Sequence, residues 1–264
     1  MNLKRFLNFL LIVYAALTVY TVASGFLGQR YQPFFTPLLS LLAFLFALLH
    51  ASLRIGPRRG LLLLILTFSV SLLFESVGVL TGLVYGPYHY TDRLGPRFLG
   101  LVPYLIPIAW FMMMYPATII AERLAPQGWP RWAWRLAVAA LGGLVMTAWD
   151  LSMDPMMVAG GHWVWEVQGA YFGIPLQNFW GWWLTTFVTF GLYLWAGKIV
   201  PSQRASPGFD RLAVISYGVT GLGSVFVDFQ IGLGGSALTG LFAMAPWVLM
   251  GLFATGERAG GGPA

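Results

Sequence analysis

Apolar residues run along the chain in eight blocks of roughly 20, the length an α-helix needs to cross a hydrocarbon layer. The blocks lie at about 6–27, 34–53, 61–84, 101–121, 134–154, 178–198, 211–231 and 236–256. Short polar or glycine-rich stretches separate them, the shortest being Gly232 to Ser236 before the last block. The pattern predicts an all-α polytopic membrane helix bundle of about eight transmembrane helices. It forms one transmembrane domain over 1–258, with a disordered Gly-rich tail at 259–264. The first block is longer than the apolar core of a signal peptide, and Ala23-Ser24-Gly25 is a poor cleavage site, so it reads as the first span.

The positions that break this pattern are the informative ones, because an ionisable group inside a membrane is costly and marks a site. Glu75 lies in the third span, followed by Gly78, Gly82 and Gly86. At 100° per residue these glycines fall within about 60° of Glu75, which places the acid on a glycine face turned to a neighbouring helix. The fifth span ends in Trp149-Asp150-Leu151-Ser152-Met153-Asp154-Pro155. Asp150 and Asp154 are one turn apart on one helix face, about 6 Å along the axis. Pro155 disfavours helix at the residue before it, so Asp154 is expected at the helix end. Asp228, near the end of the seventh span, is a capping or interfacial acid or a fourth member of the group.

Composition sharpens the picture. Charged residues make up 9% of the 264, against about a quarter in a soluble chain, and apolar residues make up 58%. The net charge of +6 would suit a nucleic acid, but its placement argues against one. With the N-terminus in the cytoplasm, twelve Lys and Arg fall inside and three (Arg30, Arg93 and Arg97) outside, the positive-inside pattern. That puts both termini in the cytoplasm and the acids towards the outer half; a bacterial cytoplasmic membrane is the expected location. The absence of cysteine excludes disulfides, thiolate metal sites and thiol nucleophiles. No Lys or Arg lies within the apolar part of a span to pair with Glu75 or Asp150. Carboxyls grouped in a dry site without a cation favour the protonated form as a rule, and a protonated carboxylic acid is a general acid.

Two aromatic loops flank these acids. One contains Tyr85-Gly86-Pro87-Tyr88-His89-Tyr90; the other runs from Trp163-Val164-Trp165-Glu166 through Tyr171 to Gln177-Asn178. Either is an interfacial belt or a wall of π faces able to stabilise a cation. His89 is a proton relay or a polar residue at headgroup level, and Gln177 and Asn178 are placed to hold a water. Trp182 and Trp183 read as belt residues, and Trp110 and Met112 to Met114 as packing.

Together Glu75, Tyr85 to Tyr90, Pro103 to Trp110, Trp149-Asp150 with Asp154-Pro155, Trp163 to Trp165, and Gly173 to Trp182 resemble the integral-membrane carotenoid biosynthesis hydratases. That family is of the bisanhydrobacterioruberin hydratase and gamma-carotene 1′,2′-hydratase type, and the resemblance covers about 70–185. It implies addition of water to the terminal double bond of an acyclic carotenoid ψ-end, with a hydrophobic carotenoid, water and the bilayer as partners. Neither a metal nor a redox cofactor is needed. In that chemistry Asp150 or Glu75 would donate a proton and Asp154 would orient water. Tyr85, Tyr88, His89, Trp149, Trp163, Trp165, Tyr171 and Asn178 would form the pocket around substrate and cation. A carotenoid cyclase or isomerase shares the protonation step but excludes water. A carotenoid-binding or transport protein would need the aromatics without the chemistry.

Overall fold

The computed structural model describes residues 2–200 and 206–253. Eight helices follow one another: α1 (Leu3–Phe26), α2 (Phe35–Arg54), α3 (Pro57–Thr81), α4 (Leu105–Leu124), α5 (Arg131–Ala159), α6 (Leu176–Ala196), α7 (Pro207–Gln230) and α8 (Gly234–Phe253). Four short strands lie in the connections: β1 (Tyr88–Tyr90), β2 (Arg97–Phe98), β3 (Val102–Pro103) and β4 (Trp163–Trp165). Seven of the helices are long and apolar enough to span a membrane, and the protein is an integral membrane protein. The eighth, α6, has its apolar run diluted by Gln177, Asn178 and Thr185, Thr186 and Thr189. The glycine-rich tail lies outside the described residues.

Burial sorts the helices into centre and rim. In α4, 78% of the most apolar window is buried and in α5 61%, against 28% in α1, α2 and α8. The rim helices therefore turn apolar side chains outwards, while α4 and α5 face protein on most sides. Gly142 and Gly143 of α5 make room for α6, since a Cβ at either would meet the ring of Phe190 or Trp183. Small residues at a helix contact allow this close approach.

Two expectations are corrected. The third span does not continue to residue 84: α3 stops at Thr81, and Gly82 closes it in the left-handed conformation (φ 69°), its N–H bonded to Gly78 O. The glycines after Glu75 consequently do not form one helical face. A Cβ on Gly78 would touch the rings of Tyr85 and Tyr88, so the space it leaves is filled by the loop that follows.

Nor does Asp154 end its helix. α5 runs through Pro155 to Ala159, and Asp154 is buried. Proline lacks the N–H that would bond the carbonyl four residues back, and here that carbonyl, Leu151 O, is taken by other elements. Tyr171 Oη donates to it at 2.7 Å, and the Ser236 hydroxyl, which shares its one hydrogen with Asp228, lies 3.1 Å away. A proline is tolerated in a membrane helix when neighbouring hydroxyls satisfy the freed group.

At the opposite end of the bundle Arg54 ties α2 to α4 and α7. It meets Asp210 through Nε at 2.6 Å and Nη2 at 3.2 Å, and Glu122 through Nη1 at 2.8 Å. Beside it, His50 bonds Tyr115 Oη at 2.5 Å and Phe209 O at 2.9 Å. Both ends of the bundle thus hold buried polar groups, but among the described residues only this end supplies a cation to its buried acids.

Candidate functional site

The site is built where the α3–α4 and α5–α6 connections pair. β1 and β4 are antiparallel, with Tyr88 opposite Trp165 and Tyr90 opposite Trp163. Alternate strand residues point to opposite faces, so both tyrosines and both tryptophans turn inwards while His89 and Val164 turn out. The inward rings pack across the ribbon, Tyr88 on Trp165 at 5.1 Å and Tyr90 on Trp163 at 5.9 Å between centroids.

Their polar ends meet the acids. Tyr88 Oη and Tyr90 Oη both donate to Glu75 Oε2, the latter at 2.8 Å, and Trp110 Nε1 donates to Oε1 at 2.9 Å. Glu75 therefore accepts three hydrogen bonds. Burial, and secondly the Glu75 charge, push the Tyr88 and Tyr90 phenols well above their ordinary range, so they stay protonated as donors.

Across the ribbon, Trp163 Nε1 donates to Asp154 Oδ1 at 2.7 Å. The other oxygen, Oδ2, accepts from Asn178 Nδ2 at 2.8 Å, and the same amide nitrogen donates to Asp150 Oδ2 at 2.7 Å. One side-chain NH2 thus bridges two buried carboxyls. Asp150 Oδ1 is buried and meets no protein donor.

Trp110 stacks on Trp182 at 4.1 Å, and Trp182 meets Trp149 edge-to-face at 5.7 Å. These rings, the ribbon and the acids bound a mostly apolar cavity of about 590 Å³. Among the described residues no group of three or more His, Cys, Asp or Glu is placed to hold a metal ion.

Of the residues singled out from sequence, Glu75, Asp154 and Asn178 line this cavity, as do Tyr85, Tyr88, Trp149, Trp163 and Trp165. Asp150 sits behind Asn178 and does not line it. His89 and Tyr171 also stand apart. The strand alternation turns His89 outwards, where its side chain is 54% exposed and faces Glu166 at 3.3 Å. Tyr171 spends its hydroxyl on the carbonyl that Pro155 frees. Asp228 is buried between α5, α7 and α8, accepting from Ser152 at 2.9 Å and Ser236 at 2.7 Å, and does not line the cavity.

Three residues of the site were not singled out. Tyr90 was passed over although Tyr-His-Tyr and Trp-Val-Trp alternate with the period of a strand, which also predicts an outward His89. Trp110 and Trp182 carry no comparable local signal, because a tryptophan in an apolar helix looks the same whether it packs or binds an acid.

A family model described as carotenoid biosynthesis protein matches residues 35–246, which include every residue of the site named above. The chain belongs to the carotenoid biosynthesis protein family. A bisanhydrobacterioruberin hydratase from Haloarcula japonica is 34% identical over 139 residues. That alignment covers 53% of this chain and 46% of the relative, so the chain spans about half the length of the curated protein it matches. No solved structure matches. α1 precedes the matched region yet supplies Tyr14, Thr18 and Thr21 to the cavity wall.

Proposed function

We propose that the chain hydrates the terminal double bond of an acyclic carotenoid ψ-end, converting it to a tertiary alcohol. The observation that carries this reading is the union, in one apolar cavity, of two carboxyls from different helices with a wall of indole and phenol rings. A trisubstituted alkene has no polar group to grip. It reacts by taking a proton at carbon 2, which leaves a tertiary cation at carbon 1; a water oxygen then bonds to carbon 1 and gives up a proton.

Asp154 is the donor in this scheme. It is the member of the aspartate pair that faces the cavity, and two carboxyls on one amide share a proton at lower cost than two negative charges. Asp150 and Asn178 hold it in place. Glu75, with three donors arranged for a carboxylate, receives the proton from the attacking water. Hydration leaves the proton count unchanged, so that proton returns to the aspartate pair before the next turnover. Trp149, Trp163, Trp165 and Trp182 surround the cation, and a desolvated π face contributes about 2 kcal/mol to such a charge. The distribution of Lys and Arg supports a cytoplasmic membrane with both termini inside and this site in the outer half.

The test is mass spectrometry of pigments from a host that makes lycopene or gamma-carotene and expresses this chain. A product heavier by one water at the ψ-end is expected, and Asp154→Asn or Glu75→Gln should abolish it at unchanged protein level. An isomer of unchanged mass would replace hydration by cyclisation or isomerisation. A bound but unaltered pigment would replace it by carriage.

A further inference from the structure

The cavity has two unlike walls. Besides Trp110, Trp149 and Asp154 of the acid site, α4 and α5 line it with Ile106, Ala109, Met112, Met153 and Met156. On α1 and α7 it is lined by Thr18, Thr21, Ser24, Thr220 and Ser224, hydroxyl residues at helical spacing on two helices that lie side by side. Each of these hydroxyls donates its own hydrogen to a carbonyl of its helix. Thr18 bonds Tyr14 O at 2.9 Å, Thr21 bonds Thr18 O at 2.8 Å, and Ser24 bonds Thr21 O at 2.9 Å. Thr220 and Ser224 do the same on α7, at 2.9 and 3.3 Å. A hydroxyl has two acceptor lone pairs; Thr220 uses one on Tyr14 Oη at 2.7 Å and Ser224 one on Trp149, so each hydroxyl of the row retains at least one for a water.

At the surface the row reaches exposed Gln29, in the connection after α1, and Gln230 at the end of α7. Part-way along α7 from Gln230, Ser224 Oγ accepts from Trp149 Nε1 at 3.3 Å, and Trp149 stands against Trp182 in the aromatic wall. The polar face therefore connects solvent with the acid site. Methionine and alanine side chains opposite offer a water nothing to bond, and water occupies a cavity only where polar partners hold it.

We propose that this α1–α7 hydroxyl row is the path by which water enters the site, the apolar α4–α5 wall being left for the polyene. The need for such a path rests on the hydration reading; its existence does not, and the two are tested separately. The chain contains no cysteine, so single substitutions report without background. In native membranes, Thr21→Cys and Ser224→Cys should react with a charged methanethiosulfonate, and Met112→Cys at least about tenfold more slowly, since only the hydrated thiolate reacts. Equal rates at all three positions, or no reaction at Thr21→Cys and Ser224→Cys, would overturn the path.

Its use is read in D2O. A cation starved of water loses a proton from a neighbouring carbon and returns to an alkene, so protonation without hydration appears as deuterium in a polyene of otherwise unchanged composition. The double variant Thr21→Val/Ser24→Ala should lower the ratio of hydrated to deuterium-exchanged product by about tenfold, as water loses two hydrogen-bonding partners, and Thr21→Ser should preserve it. An unchanged ratio, or an equal fall of both products, would remove these hydroxyls from water delivery. Should the unaltered protein form no hydrated product while the thiols still react, the path stands and the hydration reading fails.

Discussion

Asn178 provides the sharpest test of how the acids are held. Its amide nitrogen makes bonds of 2.7 and 2.8 Å to Asp150 and Asp154, and Asn178, Asp150 and Asp154 are all buried. Asn178→Ala removes both. Hydrogen bonds to a carboxylate are worth roughly 1.5–3 kcal/mol each, which sets a gross loss of about 3–6 kcal/mol. Water entering the space of the lost amide and protonation of a carboxyl offset part of it, leaving about 3 kcal/mol. For a chain of this size that corresponds to a melting temperature lower by roughly 6–12 °C, measured by the thermal unfolding of purified protein in detergent. Asp150 has no other protein donor on its free oxygen, so the loss should be shared between the two residues. In an Asp150→Ala background, Asn178→Ala should therefore cost at least about 1 kcal/mol less than alone. Strict additivity would refute the bridge, and so would an unchanged melting temperature.

Raising the pH should weaken the fold through the ribbon tyrosines. Burial holds the Tyr88 and Tyr90 phenols above the ordinary value of 10.0, so unfolded chains release these protons first; stability is full below pH 10 and declines above it. Unfolding midpoints between about pH 8 and 11 should show this decline, and Tyr88→Phe/Tyr90→Phe should flatten it. His89→Ala should leave product yield within about twofold, since its exposed pairing with Glu166 contributes little; a tenfold fall would restore it to the site. Arg54→Ala removes the cation that bonds Asp210 and Glu122 most closely, leaving Asp210 only the more distant Arg123 at 3.9 Å, at a cost of about 3 kcal/mol, read as loss of monodisperse protein in detergent. Undiminished recovery and stability would show that these carboxylates do not depend on Arg54.

The helical blocks were legible because lipid demands about 20 apolar residues per crossing, and nothing else in a sequence produces eight such runs. The buried acids were legible for the complementary reason, that a carboxyl in hydrocarbon is conspicuous. What escaped was the geometry between distant segments. β1 and β4 lie more than 70 residues apart, and although the alternation of Tyr-His-Tyr sets His89 against its neighbours, only the pairing of the two strands turns Tyr90 towards Glu75. Arg54 was read as one of many cytoplasmic charges, because nothing local announces that Glu122 and Asp210 converge on it. Pro155 was read as a stop. The rule behind that reading is sound for an isolated helix, and it fails here because Tyr171 and Ser236 supply from elsewhere the bonds that Pro155 cannot make.

That last arrangement also bears on how the chain can change through descent. Pro155, Tyr171 and Ser236 lie on α5, the loop before α6, and α8, yet a single carbonyl joins them. A lineage that exchanged Pro155 for alanine would hand Leu151 O back to its own helix and free the Tyr171 hydroxyl from that duty, while Ser236 would still be held by Asp228 at 2.7 Å. One that first lost Tyr171 or Ser236 would make the proline harder to keep. A change at any one of the three positions alters what the other two contribute at that carbonyl.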